Sequence, residues 1–119
     1  KADVDKACTD DGSTPTYIAA WNGHLESLRL LIEAKADVDK ACTDDGSTPT
    51  YIAAWNGHLE SLRLLIEAKA DVDKARTDDG RTPTYVAACK GHLESLRLLI
   101  EAKADVDKAR TDDGRTPTY

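Results

Sequence analysis

The amino-acid sequence predicts an all-α repeat solenoid, in which helix-turn-helix layers stack on one another and are joined by β-hairpin-like loops. Two observations support this fold class. Residues 1–34 recur unchanged as residues 35–68 and with five substitutions as residues 69–102, and residues 103–119 begin a fourth copy. Each copy also repeats the same helix start and stop signals. We therefore expect residues 1–119 to form a single array, and to be a segment of a longer one.

The second copy shows how the first helix of each layer is defined. Thr48 is a good N-cap and Pro49 suits the first helical position, so a short helix is predicted over 49–55. Asn56 and Gly57 end this helix, since glycine readily takes the left-handed conformation of a helix C-terminus.

A longer helix is predicted from about His58 to Ala68. Spacings of three and four residues from Leu59 through Leu62 to Ile66 define its buried face. By the same signals, the three helix-turn-helix layers are expected at residues 15–34, 49–68 and 83–102.

The segment between copies, KADVDKARTDDG, is polar and rich in Asp, and Val72 is its one sizeable apolar residue. This composition predicts an extended turn or β-hairpin. The hairpin-like loops are expected around Asp11-Gly12, Asp45-Gly46 and Asp79-Gly80.

The composition limits both the core and the partners. The chain has no Phe or Met, two Trp and four Tyr, so the core is expected to consist of Leu, Ile, Val and Ala. The formal charge of −6 argues against nucleic acid as the main partner. No apolar run approaches the roughly 20 residues of a membrane helix, so no membrane partner is expected either.

The three cysteines are predicted to be unpaired. Cys8 and Cys42 occupy the same place in successive copies, and stacked helices lie roughly 10 Å apart. A disulfide requires Cα atoms within about 7 Å. Free thiols, including Cys89, favour a reducing compartment, and with no targeting signal visible we expect a cytoplasmic protein.

Five short motifs recur in every complete copy. In the second copy they are Gly46-Ser47-Thr48-Pro49, Ala53-Ala54, Gly57-His58, Leu64-Leu65 and Ala70-Asp71-Val72. In this order and nearly this spacing, they resemble the ankyrin repeat family. Tetratricopeptide repeats share the period of 34 residues, but their W-x₂-L-G-x₂-Y frame is absent. The resemblance implies a protein-binding scaffold.

The sequence departs from the ankyrin pattern in three ways. Tyr51 stands where the family has a loop-supporting His, and we expect its hydroxyl to take over that hydrogen bond. Lys35, Lys69 and Lys103 stand where the family has Gly, and a left-handed backbone there would cost about 1 kcal/mol per repeat. The period also exceeds the family's by one residue, which we place near Ala75-Arg76.

The histidines His24, His58 and His92 follow Gly at the start of each longer helix. Metal binding or acid–base chemistry would need Cys or acidic partners at ligand spacing, which are absent. We therefore expect a structural role for them. Cys89 has no distinctive catalytic base beside it in the sequence and is interpreted as a contact residue. We expect no catalytic residue, no cofactor, no metal site and no enzymatic activity.

Asp-Asp pairs recur at the predicted loop tips. Asp is a common turn residue, so a solvated, turn-forming role is favoured. Cation binding and recognition of a basic partner remain alternatives, although the calcium-loop spacing D-x-D-x-D-G does not occur.

The resemblance implies that partners contact the loop tips and the ends of the short helices. Trp21 and Trp55 have two interpretations that remain open, namely packing between layers and anchoring of a partner. Three of the five substitutions in the third copy, Arg81, Cys89 and Lys90, fall on these contact positions. The first copy has three basic and six acidic residues, whereas the third has six of each, so the array is acidic at its start and balanced later. The predicted partner-binding residues are Asp10, Asp11, Ser13, Trp21, Asn22, Asp44, Asp45, Ser47, Trp55, Asn56, Asp78, Asp79, Arg81, Cys89 and Lys90.

Two functions follow from this reasoning. The first is a protein–protein interaction scaffold that binds through the loop tips and the concave face of the short helices. The alternative is a structural array or filament that grows by head-to-tail stacking of repeats. It is suggested by the third copy, whose apolar helix residues Leu96, Leu98, Leu99 and Ile100 match those of the internal copies and are expected to be covered by another layer.

Overall fold

The computed structural model describes residues 4–7, 9 and 12–102. These residues form six helices in three stacked pairs, and the all-α solenoid is confirmed. Layer 1 contains α1 and α2, layer 2 contains α3 and α4, and layer 3 contains α5 and α6. The helices are α1 (Pro15–Asn22), α2 (Leu25–Glu33), α3 (Pro49–Asn56), α4 (Leu59–Glu67), α5 (Pro83–Lys90) and α6 (Leu93–Glu101).

Each short helix begins and ends where the local sequence predicts. In layer 2, the Thr48 hydroxyl oxygen accepts a hydrogen bond from Tyr51 N at 3.1 Å, and Pro49 occupies the first turn. Gly57 ends the helix with a φ of 71°. The equivalent residues cap the other short helices, namely Thr14 and Gly23 for α1 and Thr82 and Gly91 for α5, so each layer starts from its own local signal.

The longer helices end in a left-handed turn. Lys69 N donates to Ile66 O and Ala70 N donates to Leu65 O, both at 3.0 Å, which together form a Schellman motif. Lys69 has a φ of 69° and Lys35 a φ of 67°, so the left-handed conformation considered for these lysines is confirmed. Lys103 lies outside the described residues.

The loops between layers are hairpin-like but contain no β-ladder in the described part of the chain. Cys42 N donates to Ser47 O, and Gly46 N donates to Cys42 O, both at 2.9 Å. Arg76 and Arg81 close the next loop in the same way. A single closing pair does not extend into strands, so each loop is a tight turn rather than a true β-hairpin.

The loops also connect neighbouring layers through polar contacts. Asp71 N donates to Asp39 Oδ1 at 2.8 Å, and Lys74 Nζ donates to Asp39 O at 2.9 Å. One layer earlier, Asp37 and Lys40 make the same two contacts with Asp5. The spacing of the layers is therefore set on the loop side as well as by the helices.

The core contains Leu and Ala as expected, but it also contains tyrosine. Tyr17, Tyr51 and Tyr85 are at most 4% exposed, and Tyr51 is the largest fully buried side chain. A core of aliphatic residues alone was therefore a wrong prediction. Each tyrosine lies in the first turn of its short helix, and Tyr17 and Tyr51 belong to the same core cluster as the buried Leu and Ala residues.

The Tyr51 hydroxyl is buried beside the guanidinium groups of Arg76 and Arg81, and no well-aligned hydrogen bond from it to the loop is formed among the described residues. Burial, only partly offset by the positive charge of Arg76, raises the pKa of Tyr51 to about 12. The buried hydroxyls of Thr16, Thr50 and Thr84 likewise lack a partner in this part of the chain. These positions follow Pro, where the ankyrin pattern has Leu, so each layer contains a threonine hydroxyl in a place that the pattern makes apolar.

Candidate interaction surface

The layers pack most tightly against one another on the side of the short helices. Neighbouring short helices make more extensive contact with each other than neighbouring longer helices do. Ala19, Ala20, Ala53 and Ala54 are fully or nearly fully buried there, and their small side chains allow the close approach. The layers are therefore most tightly packed on the short-helix side, and we call the surface formed by the short-helix ends and the loop tips the inner surface.

A continuous row of rings and cations links the buried core to this inner surface. The Arg76 guanidinium lies 5.3 Å from the centre of the Tyr51 ring, and Tyr51 lies 6.1 Å from Trp55. Lys90 Nζ lies 4.4 Å above the Trp55 ring. The row thus runs from a loop tip, through the core edge of layer 2, to the end of the short helix in layer 3.

The two tryptophans differ in exposure although their repeats are identical. Trp21 is 50% exposed, whereas Trp55 is half-buried beneath Lys90. The residue at the Lys90 position in layer 2 is Asn56, which is too short to cover Trp21 and hydrogen-bonds to its backbone instead. Trp55 thus packs between layers, and Trp21 presents its ring to solvent.

The paired aspartates at each tip divide into two roles. Asp44 and Asp78 are exposed. Asp45 Oδ1 accepts a hydrogen bond from Ser47 N at 3.0 Å, and Asp79 Oδ1 accepts one from Arg81 N at 3.1 Å. The second aspartate of each pair therefore stabilises the turn, as expected, but it is half-buried rather than solvated.

Arg76 joins the tips of two successive loops. Its guanidinium lies 2.6 Å from Asp79 Oδ2 in its own loop, 3.9 Å from Asp78 and 3.5 Å from Asp45 in the preceding loop. The side chain is only 17% exposed. The third copy has Arg here where the first two have Cys, so this substitution adds an ion-paired contact between layers 2 and 3.

These contacts shift the ionisation of both turn aspartates. Burial alone would raise the pKa of Asp79, but hydrogen bonds from Arg76 and from Arg81 N outweigh burial and hold the pKa below its ordinary value. For Asp45, burial is likewise outweighed by hydrogen bonds from Ser47 and the positive charge of Arg76, so its pKa is also lowered.

The predicted contact residues are not equally accessible. Ser13 and Ser47 are at most 4% exposed, so their side chains are not available to a partner. Asp10 and Asp11 lie outside the described residues. The half-buried members are Asp45, Trp55, Asn56, Asp79 and Arg81, and the exposed members are Trp21, Asn22, Asp44, Asp78, Cys89 and Lys90.

The histidines have a structural role in two of the layers. His58 Nε2 donates to the Trp21 carbonyl oxygen at 2.9 Å, and His92 Nε2 donates to the Trp55 carbonyl oxygen at 3.0 Å. Each imidazole thus links the start of one longer helix to the end of the preceding short helix. The sequence predicted a structural role, but it did not reveal that the bonded partner lies in another layer.

The two described cysteines are free thiols in different environments. Cys42 is buried and its sulfur lies 3.5 Å from Asp45 Oδ1. Burial raises the pKa of the Cys42 thiol above its ordinary value. Cys89 is exposed at the end of α5, and Cys8 lies outside the described residues.

Residues 4–7, 9 and 12–102 contain no group of three His, Cys, Asp or Glu side chains placed to hold a metal ion. Within the same ranges, none of the helices has the length and apolar character needed to span a bilayer.

Comparison with known proteins agrees with the repeat architecture. The family described as "Ankyrin repeats (3 copies)" matches residues 1–76, and the family described as "Ankyrin repeat" matches residues 79–112. No curated protein matches the chain. The two family matches cover nearly the whole sequence, and their helix pairs stack as the repeat pattern predicts; the chain belongs to the ankyrin repeat family.

Proposed function

We propose that this chain is a protein-binding scaffold that holds a segment of its partner along the inner surface formed by the loop tips and the short-helix ends. Ankyrin repeats are generally protein-interaction modules rather than catalytic domains. The observation that carries the proposal is the placement of the differences between copies. Cys89 and Lys90 are exposed on this surface and Arg81 is partly exposed beside it, whereas the buried framework hardly varies.

The exposed groups define the chemistry of the partner. Asp44 and Asp78 project at successive loop tips and favour a partner with Lys or Arg side chains. The Trp21 ring is half-exposed, and its centre lies 6.0 Å from the centre of the Tyr17 ring. It offers an apolar anchor to a partner. Lys90 adds one positive charge at the far end of the surface. The partner segment thus has basic groups facing the tips and an apolar side chain on Trp21.

The proposal is tested with peptides selected from a random display library against this chain. Replacing Trp21 by Ala is expected to lower the affinity for the selected peptides by roughly 30-fold, or about 2 kcal/mol, because aromatic residues dominate the binding energy at such surfaces. Binding is measured by isothermal titration calorimetry. Trp21 is half-exposed, so its truncation leaves the buried core intact.

Arg29→Ala is the matched control in the same layer. Arg29 is exposed on α2, as its copies are on α4 and α6, and it lies on the longer helix rather than the short one. Peptides that bind the Trp21→Ala chain as tightly as the native chain, but lose affinity for the Arg29→Ala chain, would place the binding surface on the opposite side and contradict the proposal.

We also infer that residues 1–119 form a single array, that this array is part of a longer one, and that the protein is cytoplasmic. The free thiols of Cys42 and Cys89 support a reducing compartment. The repeated interlayer contacts support a single continuous array.

A further inference from the structure

A shallow groove lies between layers 1 and 2, on the edge of the stack where each short helix turns into the longer helix. It has a volume of about 360 Å³ and is lined by Gly23 and Leu25 of layer 1 and by residues 57–61 of layer 2. Six of the seven equivalent positions, one layer later, line a similar groove of about 330 Å³ between layers 2 and 3. Each groove is bounded by two described layers, so it is formed by the contact between neighbouring repeats.

This edge is a different surface from the one to which the protein-binding role is assigned above. None of the predicted partner-binding residues that the structure describes lines either groove. We call the groove between layers 1 and 2 the turn groove.

The first turn of α4 supplies backbone donors to the turn groove. His58 is the N-cap residue of α4, but its side chain makes no hydrogen bond to that turn. The imidazole is used elsewhere, because Nε2 donates to the Trp21 carbonyl oxygen of layer 1 at 2.9 Å. The first N–H groups of an α-helix have no partner within the helix. The N–H groups of Leu59, Glu60 and Ser61 are therefore left as donors at the start of α4.

The Ser61 side chain adds a buried hydroxyl to these donors. Ser61 is 1% exposed and lines the turn groove, so it belongs to the floor of the groove rather than to its rim. Its Oγ is buried and has no hydrogen-bond partner among the described residues. An unpaired buried hydroxyl is unfavourable, so a ligand that pairs with it gains affinity.

The turn groove also contains hydrogen-bond acceptors. Because His58 Nε2 donates to Trp21, Nδ1 is the acceptor nitrogen of this ring. Nδ1 lies close to Gly23, where a Cβ would be only 3.0 Å from it. Glu60 lines the groove as well, and its carboxylate Oε1 lies 3.4 Å from Arg63 Nε on the exposed side of α4. Donors and acceptors are thus present within one groove.

This combination selects the chemistry of the ligand. The start of α4 would favour an anion, but the negative charge of Glu60 in the same turn repels one. A cation would face the positive end of the helix dipole and the three N–H groups. A primary carboxamide is neutral, and it has an oxygen that accepts and a nitrogen that donates two hydrogen bonds. It therefore matches both kinds of group in the groove.

We propose that the turn groove binds a glutamine side chain of a protein partner. The carboxamide oxygen accepts from the first-turn N–H groups of α4 and from Ser61 Oγ, and the carboxamide nitrogen donates to Glu60 or to His58 Nδ1. The two methylene groups of glutamine lie against Leu25 and Leu59, which are half-buried. The apolar walls thus hold the stem while the polar groups hold the amide.

The groove between layers 2 and 3 is a weaker version of this site. Glu94 and Ser95 occupy the places of Glu60 and Ser61. Leu93 N, however, donates to Gly91 O at 3.0 Å, so one of the backbone donors is already used. The turn groove is therefore the primary site.

The test compares three small probes, N-acetylglutamine methylamide and its glutamate and norleucine counterparts. The three probes have the same two backbone amides and differ only in the side chain. Binding is followed by NMR on the ¹⁵N-labelled 119-residue chain, through the backbone amide signals of Leu59, Glu60 and Ser61. The glutamine probe is expected to bind at least roughly 10-fold more tightly than the other two, because only its side chain pairs with both donors and acceptors.

Two variants examine the polar groups of the groove. Ser61→Ala is expected to lower the affinity for the glutamine probe by roughly 3- to 10-fold through loss of one hydrogen bond. Since this hydroxyl is unpaired in the free chain, its removal is not expected to unfold the protein, and circular dichroism checks the helix content. Glu60→Gln removes the charged acceptor and is expected to lower the affinity by roughly 2- to 5-fold.

Thr50→Val is the matched control for Ser61→Ala. It also removes a buried hydroxyl without a described partner from layer 2, but Thr50 lies in α3 and does not line the groove. The affinity for the glutamine probe is expected to stay unchanged in this variant.

Four results would overturn the proposal. Equal binding of all three probes would show that the groove takes a backbone amide rather than a side chain. Tighter binding of the glutamate probe, strengthened further by Glu60→Gln, would show an anion site. An unchanged affinity of folded Ser61→Ala would place the contact outside the groove. The absence of saturable shifts at Leu59, Glu60 and Ser61 would show that the groove binds no carboxamide.

Discussion

Replacing Lys69 by Gly is expected to stabilise the protein, although it removes a side chain and adds no contact. Lys69 has a φ of 69° and an exposed side chain. A residue with a Cβ loses about 1–2 kcal/mol in the left-handed region, because the Cβ approaches the following carbonyl oxygen. Glycine avoids this clash but loses about 0.5–1 kcal/mol more backbone entropy on folding. The net gain in the free energy of unfolding is therefore about 0.5–1 kcal/mol.

The assay is urea and thermal unfolding followed by circular dichroism, with an expected rise in Tm of about 2–5 °C. The Schellman hydrogen bonds of Lys69 N and Ala70 N are made by backbone groups, so they survive the substitution. Lys35→Gly, with a φ of 67° one layer earlier, is expected to add a similar gain when combined with it.

Two controls separate backbone strain from other effects. Lys69→Ala removes the same charge but keeps the Cβ, and is expected to leave the stability near that of the native chain. Ala68→Gly places glycine one residue earlier, where φ is −82°, and is expected to destabilise the chain by about 0.5–1 kcal/mol. If Lys69→Gly is no more stable than Lys69→Ala, the left-handed strain is not the cause and the reasoning fails.

Three further predictions concern the core, the loops and the histidine hydrogen bond between layers. Thr50→Val replaces a buried hydroxyl without a described partner by a methyl group and is expected to raise the free energy of unfolding by about 1 kcal/mol; a loss in urea unfolding would show that the hydroxyl is paired. Asp45 and Asp79 have lowered pKa values when folded, so their stabilisation is present above the unfolded pKa of about 3.9 and is lost as pH falls from there through the folded pKa. Asp79→Asn should therefore flatten the acid limb of a stability–pH curve, and an unchanged acid limb would refute this account. His92→Ala loses the hydrogen bond to the Trp55 carbonyl oxygen of the preceding layer, so it is expected to lower the free energy of unfolding by about 1 kcal/mol. His24→Ala changes an exposed histidine and is expected to lower it little. Equal losses for the two variants would show that the interlayer hydrogen bond contributes nothing.

The interaction surface could be predicted only in part from the sequence. The position of Trp21 and the variation at Lys90 were readable, because repeats align each residue with its copies. The role of Arg76 in joining two successive loops could not be predicted from the sequence. The change from Cys to Arg is visible in the sequence, but its ion pair with Asp45 depends on how closely two loops pack.

The tyrosines illustrate a second limit. The pattern Thr-Pro-Thr-Tyr showed where the family's His is replaced, and hydrogen bonding by Tyr51 was a reasonable expectation. The ring instead packs fully buried in the core, and its hydroxyl makes no well-aligned hydrogen bond to the loop. Whether an aromatic side chain hydrogen-bonds or packs depends on the volume around it, and that volume is formed by residues distant in sequence.

The helices themselves were determined by the sequence alone, because their signals are local. Thr48 and Pro49 start a helix and Gly57 ends it whatever lies next to the layer. The hydrogen-bond partners and the burial of residues at equivalent positions were decided only by the tertiary structure. Asn22 bonds within its own helix and Asn56 bonds across to the neighbouring layer, and Leu30 is exposed where Leu64 is packed. The two copies have the same local sequence, so this difference can come only from the presence or absence of a neighbouring layer.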